Sequence, residues 1–250
     1  MRPDISEFSF GYALTSELVA RLGIKSVGAP IFPSLVEEGK VAYDVAIPGL
    51  PLFLQFKLSD YMVRGTALEA TLLGVPYYRM HLRPRRHSKQ HELLHQLEAK
   101  GNEVYYVAPE FHTPTDLNRA YDTSAVVDRS TFWRPIDIGL LPDDSDHYVA
   151  FQKGKPRGYF CSEPREIPRV SGLEHFQGML RSAARSQGHP PTREYWRRLG
   201  DVLMATWSEV GWPPTERGDV LGRQQDPQDR AAFLAQTLYA CALLWMPSEP

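Results

Sequence analysis

Cysteine is nearly absent from this chain: Cys161 and Cys241 are the only two in 250 residues, far apart and without a pairing pattern. That excludes a disulfide scaffold and fits a reducing compartment. No apolar run approaches the roughly 18 residues of a membrane span. The opening stretch MRPDISEFSFGYALTSELV carries acidic residues and no long apolar core, so a secretory signal is not expected. A basic surplus is also missing. With 28 Lys and Arg against 30 Asp and Glu the formal net charge is -2, so any contact with nucleic acid has to come from local patches. There is no GxSxG elbow, no P-loop and no dinucleotide fingerprint. The expectation is a cytoplasmic protein of bacterial type without a membrane partner.

What is present reads as a folded chain, with 42% hydrophobic and 23% charged residues. Leu14, Leu18 and Leu22 recur at helical spacing and Gly23 offers a stop, which predicts a helix over 5–23. A proline-bounded strand is expected around Tyr77 to Leu82. A helix from about Arg86 to Lys100 follows, with Leu93, Leu94 and Leu97 on its apolar side, then an aromatic strand in NEVYYVAPEF. HYVAFQKGKPRGYF reads as a hairpin turning at Gly154 to Gly158. Past Pro168 the pattern is helical, interrupted by GHPPT and GWPPTERGD. A boundary is therefore expected between an α/β part, 1–168, and a helical extension, 169–250.

Chemistry concentrates in AYDVAIPGLPLFLQFKLSD, residues 42–60. Val41, Tyr43, Val45 and Ile47 alternate with Ala42, Asp44 and Ala46. Leu52, Leu54, Phe56 and Leu58 alternate with Phe53, Gln55 and Lys57. A hairpin over the Pro-Gly-Leu-Pro turn would put Asp44, Gln55 and Lys57 on one sheet face.

Asp44, then Gln55-Phe56-Lys57 on a second strand, followed by helix and strand, resembles the PD-(D/E)XK, or restriction-endonuclease-like, nuclease superfamily over residues 5–110. The resemblance implies an α/β (α+β) fold with a mixed β-sheet core flanked by helices, here carrying the helical C-terminal extension. It further implies a Mg²⁺-dependent nuclease, with Mn²⁺ substituting, that cuts DNA in restriction, repair or antiviral defence. Asp44 matches the motif aspartate, Gln55 the variable acidic position and Lys57 the lysine. Glu17 on the first helix matches the helical acid, with Glu7 and Glu38 as alternatives. Asp44, the Gln55 oxygen and the Phe56 backbone carbonyl would hold the metal, and Gln55 in place of an acid removes one negative charge from its shell. The alternative implied by that substitution is an inactive member of the fold that binds nucleic acid or a protein partner.

Other constellations compete. RMHLRPRRHSKQH, Arg79 to His91, is a basic segment from which Arg85, Arg86, His87, Lys89, Gln90 and His91 would contact phosphates, and REYWRRLGD adds three arginines. His87, His91 and His95 form an i, i+4, i+8 stripe that two-histidine metal sites use, although HSKQHELLH lacks the HExxH order. Phe111–Asp116 and His147 beside PDDSD offer a second acidic and histidine group, or merely loop residues with Thr115 or Asp116 capping a helix. Trp196, Trp207, Trp212 and Trp245 in the tail read as core, or as a surface for a homodimer or protein partner.

Overall fold

The computed structural model describes residues 1–22, 52–187, 192–211, 226–239 and 241–244. Asp44, Glu38, the Val41–Ile47 segment, Trp212 and Trp245 lie outside them. Helix α1, Glu7–Leu22, starts where Ser6 Oγ accepts the Ser9 amide (2.9 Å). It is followed by β1 (Leu52–Phe56), β2 (Ser59–Met62), α2 (Leu68–Leu73), β3 (Tyr77–Leu82), α3 (Gln90–Ala99) and β4 (Glu103–Pro109). Then come α4 (Pro114–Asp122), β5 (Ser130–Trp133), α5 (Pro135–Ile138), β6 (His147–Phe151), β7 (Arg157–Phe160), β8 (Arg165–Pro168) and β9 (Val170–Ser171). Helices α6 (Leu173–Gln187), α7 (Arg193–Val210) and α8 (Pro227–Tyr239) and strand β10 (Ala242–Leu244) complete the described chain.

The strands form two five-stranded sheets. Sheet A runs β10-β1-β4-β5-β9 and is mixed: β1 is parallel to β4, and β10, β5 and β9 are antiparallel to their neighbours. Sheet B runs β2-β3-β6-β7-β8 and is antiparallel throughout. The fold is mixed α/β of the α+β kind. No helix among the described residues is long and apolar enough to cross a membrane.

Alternation along β1 sends its side chains to two different cores. Leu52, Leu54 and Phe56 join Phe10, Leu14 and Leu18 of α1, Val107, Phe132 and Phe176 on one face of sheet A. Phe53 joins the leucines of α3, Trp196 and Leu203 of α7, Leu234 of α8, and Met80, Val149 and Phe160 of sheet B on the other. Helix α1 can lie so close because residue 11 is glycine: a Cβ there would meet the Phe56 ring at 2.7 Å.

Two arrangements differ from the sequence reading. Both edges of β1 are occupied at Leu52, Phe53 and Leu54, by β4 on one side and β10 on the other. Ala242-Leu-Leu, from the far end of the chain, takes the edge that a hairpin with Val41–Ile47 would need there. Pairing over nearly 190 residues leaves no local turn signal, which is why alternation alone favoured the nearer partner. The tail is also no appended unit. Strands β9 and β10 belong to sheet A, and α7 and α8 bury Trp196 and Trp207 in the core shared by the two sheets, so the division expected near 168 runs through one core.

Candidate active site

Lys57 follows the last residue of β1, and its amide continues the parallel ladder by donating to Val107 O (2.8 Å). Its side chain lies on the same face as Phe53 and Gln55, pointing toward α3. There Lys57 Nζ donates to Gln90 Oε1 (3.0 Å), and Gln90 Nε2 donates to Gln55 Oε1 (2.7 Å). Gln55 Nε2 in turn donates to its neighbour's carbonyl, Phe56 O (3.1 Å). Gln90 occupies the first turn of α3, and its amide donates to Ser88 Oγ (3.2 Å). The side chain is thus fixed at both ends, and the chain of amides ends on a lysine that is only 7% exposed.

A second buried chain runs alongside. Tyr106 on β4 is the register partner of Gln55. Its ring stacks on His91 (centroids 5.8 Å, 10° between planes), and its hydroxyl meets His91 Nδ1 at 3.1 Å. On the other side of the imidazole, Nε2 lies 2.7 Å from Gly139 O. A carbonyl can only accept, so Nε2 carries the proton and Nδ1 accepts from the Tyr106 hydroxyl. Burial pushes the His91 ring down to about 4, and the nearby His95, His147 and Lys57 add to that shift. His91 is therefore a neutral, doubly bonded core histidine.

That commitment decides the histidine stripe and part of the basic patch. With both His91 nitrogens engaged, His91 and His95 do not form a metal pair, and His91 is not free for a phosphate. Among the described residues no group of three His, Cys, Asp or Glu side chains is arranged to hold a metal ion. Lys89 is occupied as well, since its Nζ donates to Val210 O (2.6 Å) at the end of α7. Arg85, Arg86 and His87 remain exposed on the loop before α3. Arg85 lies 3.6 Å from Glu92, and the Arg86 amide donates to Asp144 Oδ1 (3.2 Å).

Glu17 sits elsewhere. Its carboxylate accepts the amides of Val126 (2.6 Å) and Val127 (3.3 Å) and pairs with Arg21 (2.9 Å). It belongs to the α1 face of sheet A, across the sheet from Gln55 and Lys57. The structure brings Gln55, Phe56, Lys57, Gln90 and His91 together and leaves Glu17 out. Glu7 is half-buried in the first turn of α1.

Comparison of the chain with protein-family models, with curated proteins and with solved structures finds no match.

The second acidic and histidine group resolves into ordinary structural contacts. His147 is buried, with Nδ1 2.6 Å from Ser162 Oγ and Nε2 3.1 Å from Asp143 O. Helix α4 is capped by Thr113, whose Oγ1 accepts the Asp116 amide and donates to Asp116 Oδ2 (2.7 Å). The cap thus falls neither on Thr115 nor on Asp116. Proline at the first helical position marks Thr113 as the cap, a cue present in the string TPTD. Tyr106, by contrast, was beyond reach of sequence reasoning, because only the β1–β4 register shows that its hydroxyl lies level with Gln55.

Proposed function

We propose that the protein is a metal-dependent nuclease that hydrolyses phosphodiester bonds in DNA, on a restriction-endonuclease-like core whose reacting groups are Asp44, Gln55 and Lys57. The observation that carries this reading is the Lys57 ammonium. It is nine-tenths buried at the carboxyl end of a parallel strand, and among the described residues its one hydrogen-bond partner is a neutral amide. A buried cation needs an anion, and the carboxyl ends of parallel strands are where α/β sheets bind ligands. A scissile phosphate supplies the anion, and the exposed Arg85 and Arg86 extend the positive surface along the backbone. Lys57 acts there as a point charge beside the attacked phosphorus, held in place by Gln90.

Gln55 Oε1 and Phe56 O are oxygen donors of the kind Mg²⁺ takes. Both are uncharged and both accept hydrogen bonds, so the described residues alone do not make a Mg²⁺ site. The carboxylate falls to Asp44, outside the described residues. A bound divalent ion would neutralise phosphate charge and lower the pKa of a water.

Purified protein is expected to cleave plasmid and linear DNA with Mg²⁺ or Mn²⁺. Asp44→Ala and Lys57→Ala should each lose roughly 10²- to 10³-fold in rate. Equal cleavage by wild type and both variants overturns the proposal. The occupied oxygens of Gln55 and Phe56 favour a second reading, a nuclease fold that binds nucleic acid or a protein without cutting. That reading expects unaltered binding in Asp44→Ala and no thermal stabilisation by Mn²⁺.

A further inference from the structure

The contacts that hold His147 in the core also fix where its proton sits. Nε2 faces two acceptors from one residue, Asp143 O at 3.1 Å and Asp143 Oδ1 at 3.4 Å. The first is a carbonyl, and the second belongs to a carboxyl that Ser145, through its hydroxyl and its amide, holds below the ordinary carboxylate range. In the neutral ring Nε2 therefore carries the proton. Nδ1 then presents a lone pair, and its contact is Ser162 Oγ at 2.6 Å, so the serine hydroxyl is the donor in that bond. The sheet sets up the pair. The Cys161 amide donates to Tyr148 O (2.9 Å), which carries the β6–β7 pairing one step past β7 and brings Ser162 across from His147.

The two ends of this bond differ in exposure. The imidazole is wholly buried, packed near the Phe160 ring (centroids 5.8 Å), whereas Ser162 stands exposed in the turn between β7 and β8. A hydroxyl in that position has water for a partner, yet here it is drawn onto a buried base. A neutral imidazole that accepts a serine proton, is held in one tautomer by a carbonyl and has a carboxylate beside it to offset positive charge is the arrangement that activates a serine nucleophile. We infer that Ser162 is a nucleophile with His147 as its general base and Asp143 as a positioning residue, and that it reacts with aryl esters of small carboxylic acids. It stands independently of the nucleic-acid reading. Ser162 Oγ bonds to the carbonyl carbon while its proton passes to His147 Nδ1. The bond from that carbon to the leaving oxygen breaks, and the oxygen departs as a phenol with the proton from Nδ1. Water then repeats the sequence on the acyl-serine, releasing the carboxylic acid and restoring Ser162.

The test is reaction with p-nitrophenyl acetate, followed by the absorbance of released nitrophenol and by peptide mass spectrometry of the acetylated protein. Ser162 should take the acetyl group at least about 10²-fold faster than Ser6 and Ser208, exposed serines of the same chain, since a positioned general base contributes that much. This comparison needs no substitution. Ser162→Ala should remove the adduct and the fast release together. His147→Gln, with its fold checked by circular dichroism, should bring Ser162 down to the rate of Ser6. Asp143→Asn, at a side chain 63% exposed, should lower the maximal rate at least about tenfold and leave the half-saturating ester concentration unchanged, because Asp143 acts on the imidazole and not on the ester. No adduct on Ser162, an adduct formed no faster than on Ser6, or an unchanged rate in folded His147→Gln overturns the nucleophile. An Asp143→Asn effect confined to half-saturation overturns the role given to Asp143.

Discussion

Sheets A and B have five strands each and opposite surroundings. Sheet A is covered on both faces, by α1, α4 and α6 on one side and by α3, α7, α8 and sheet B on the other, so β1 and β5 are buried at every position. Sheet B presents its second face outward, with Asp60, Arg79 and Tyr148 alternating against a buried set that includes Met80, Val149 and Phe160. On that face Arg79 lies over the Tyr148 ring (4.0 Å) and pairs with Asp60 (3.4 Å), ordinary neighbours on a wet antiparallel surface. A polar side chain therefore means different things in the two sheets. In B, Asp60 and Arg79 stand on the solvent side whereas Ser59 and His147 point into the core; in A, where neither face meets water, Gln55 needs partners from α3 to remain buried.

The comparison breaks most visibly by truncating an aromatic in sheet A. Phe132 is fully buried, stacked on Phe176 with centroids 4.0 Å apart and edge-on to Tyr105. Phe132→Ala should cost about 3–5 kcal/mol, from lost burial plus the cavity left in a core closed on both sides. Urea denaturation is the measurement, with a lower midpoint and an unchanged slope as the expected result. A loss below about 1 kcal/mol would show that sheet A is looser than its burial indicates.

A smaller effect separates the sheets through pH. His91 is held near 4 in the folded protein against an ordinary 6.5, chiefly by burial. Its folded-state value is depressed, so between those limits the unfolded chain binds a proton that the folded chain does not. Stability from this group is complete above about pH 6.5 and falls as pH drops toward 4, by about 3 kcal/mol in all. Denaturation of wild type at pH 7 and pH 5 should show the decline, and His91→Gln should remove that part of it. Identical slopes in the two proteins would mean that His91 is not buried neutral.

Much of this architecture was legible where the signal is local. The strand expected around Tyr77 to Leu82 is β3, legible because proline bounds it and its side chains alternate. The α3 leucines and the β6–β7 hairpin followed from period and turn chemistry in the same way. Non-local pairing was not legible: nothing around Ala242 announces that it borders Leu54. The candidate site shows the same division. Gln55 and Lys57 share a face by alternation alone, but Gln90 lies 33 residues from Lys57, and their contact depends on how α3 crosses between the parallel strands. Glu17 illustrates the converse, since a helix preceding the strand says nothing about which face of the sheet it will cover.

The smallest effect is expected on the rim of sheet B. Arg157 on β7 pairs with Glu166 on β8, and Tyr159 adds a hydrogen bond to the same carboxylate (2.8 Å). The arginine holds the Glu166 carboxyl below its ordinary range, with the tyrosine hydroxyl adding to the effect. Both partners of the ion pair stand in solvent, with 68% and 44% of their side chains exposed. There water screens the attraction, and ordering two long side chains offsets much of what remains. Arg157→Ala should leave the thermal midpoint unchanged within error at moderate salt, although the partners lie on adjacent strands. A clear drop would mean that the rim is shielded from solvent in the working protein, and the outward face of sheet B would then have to be treated as a covered surface like the two faces of sheet A.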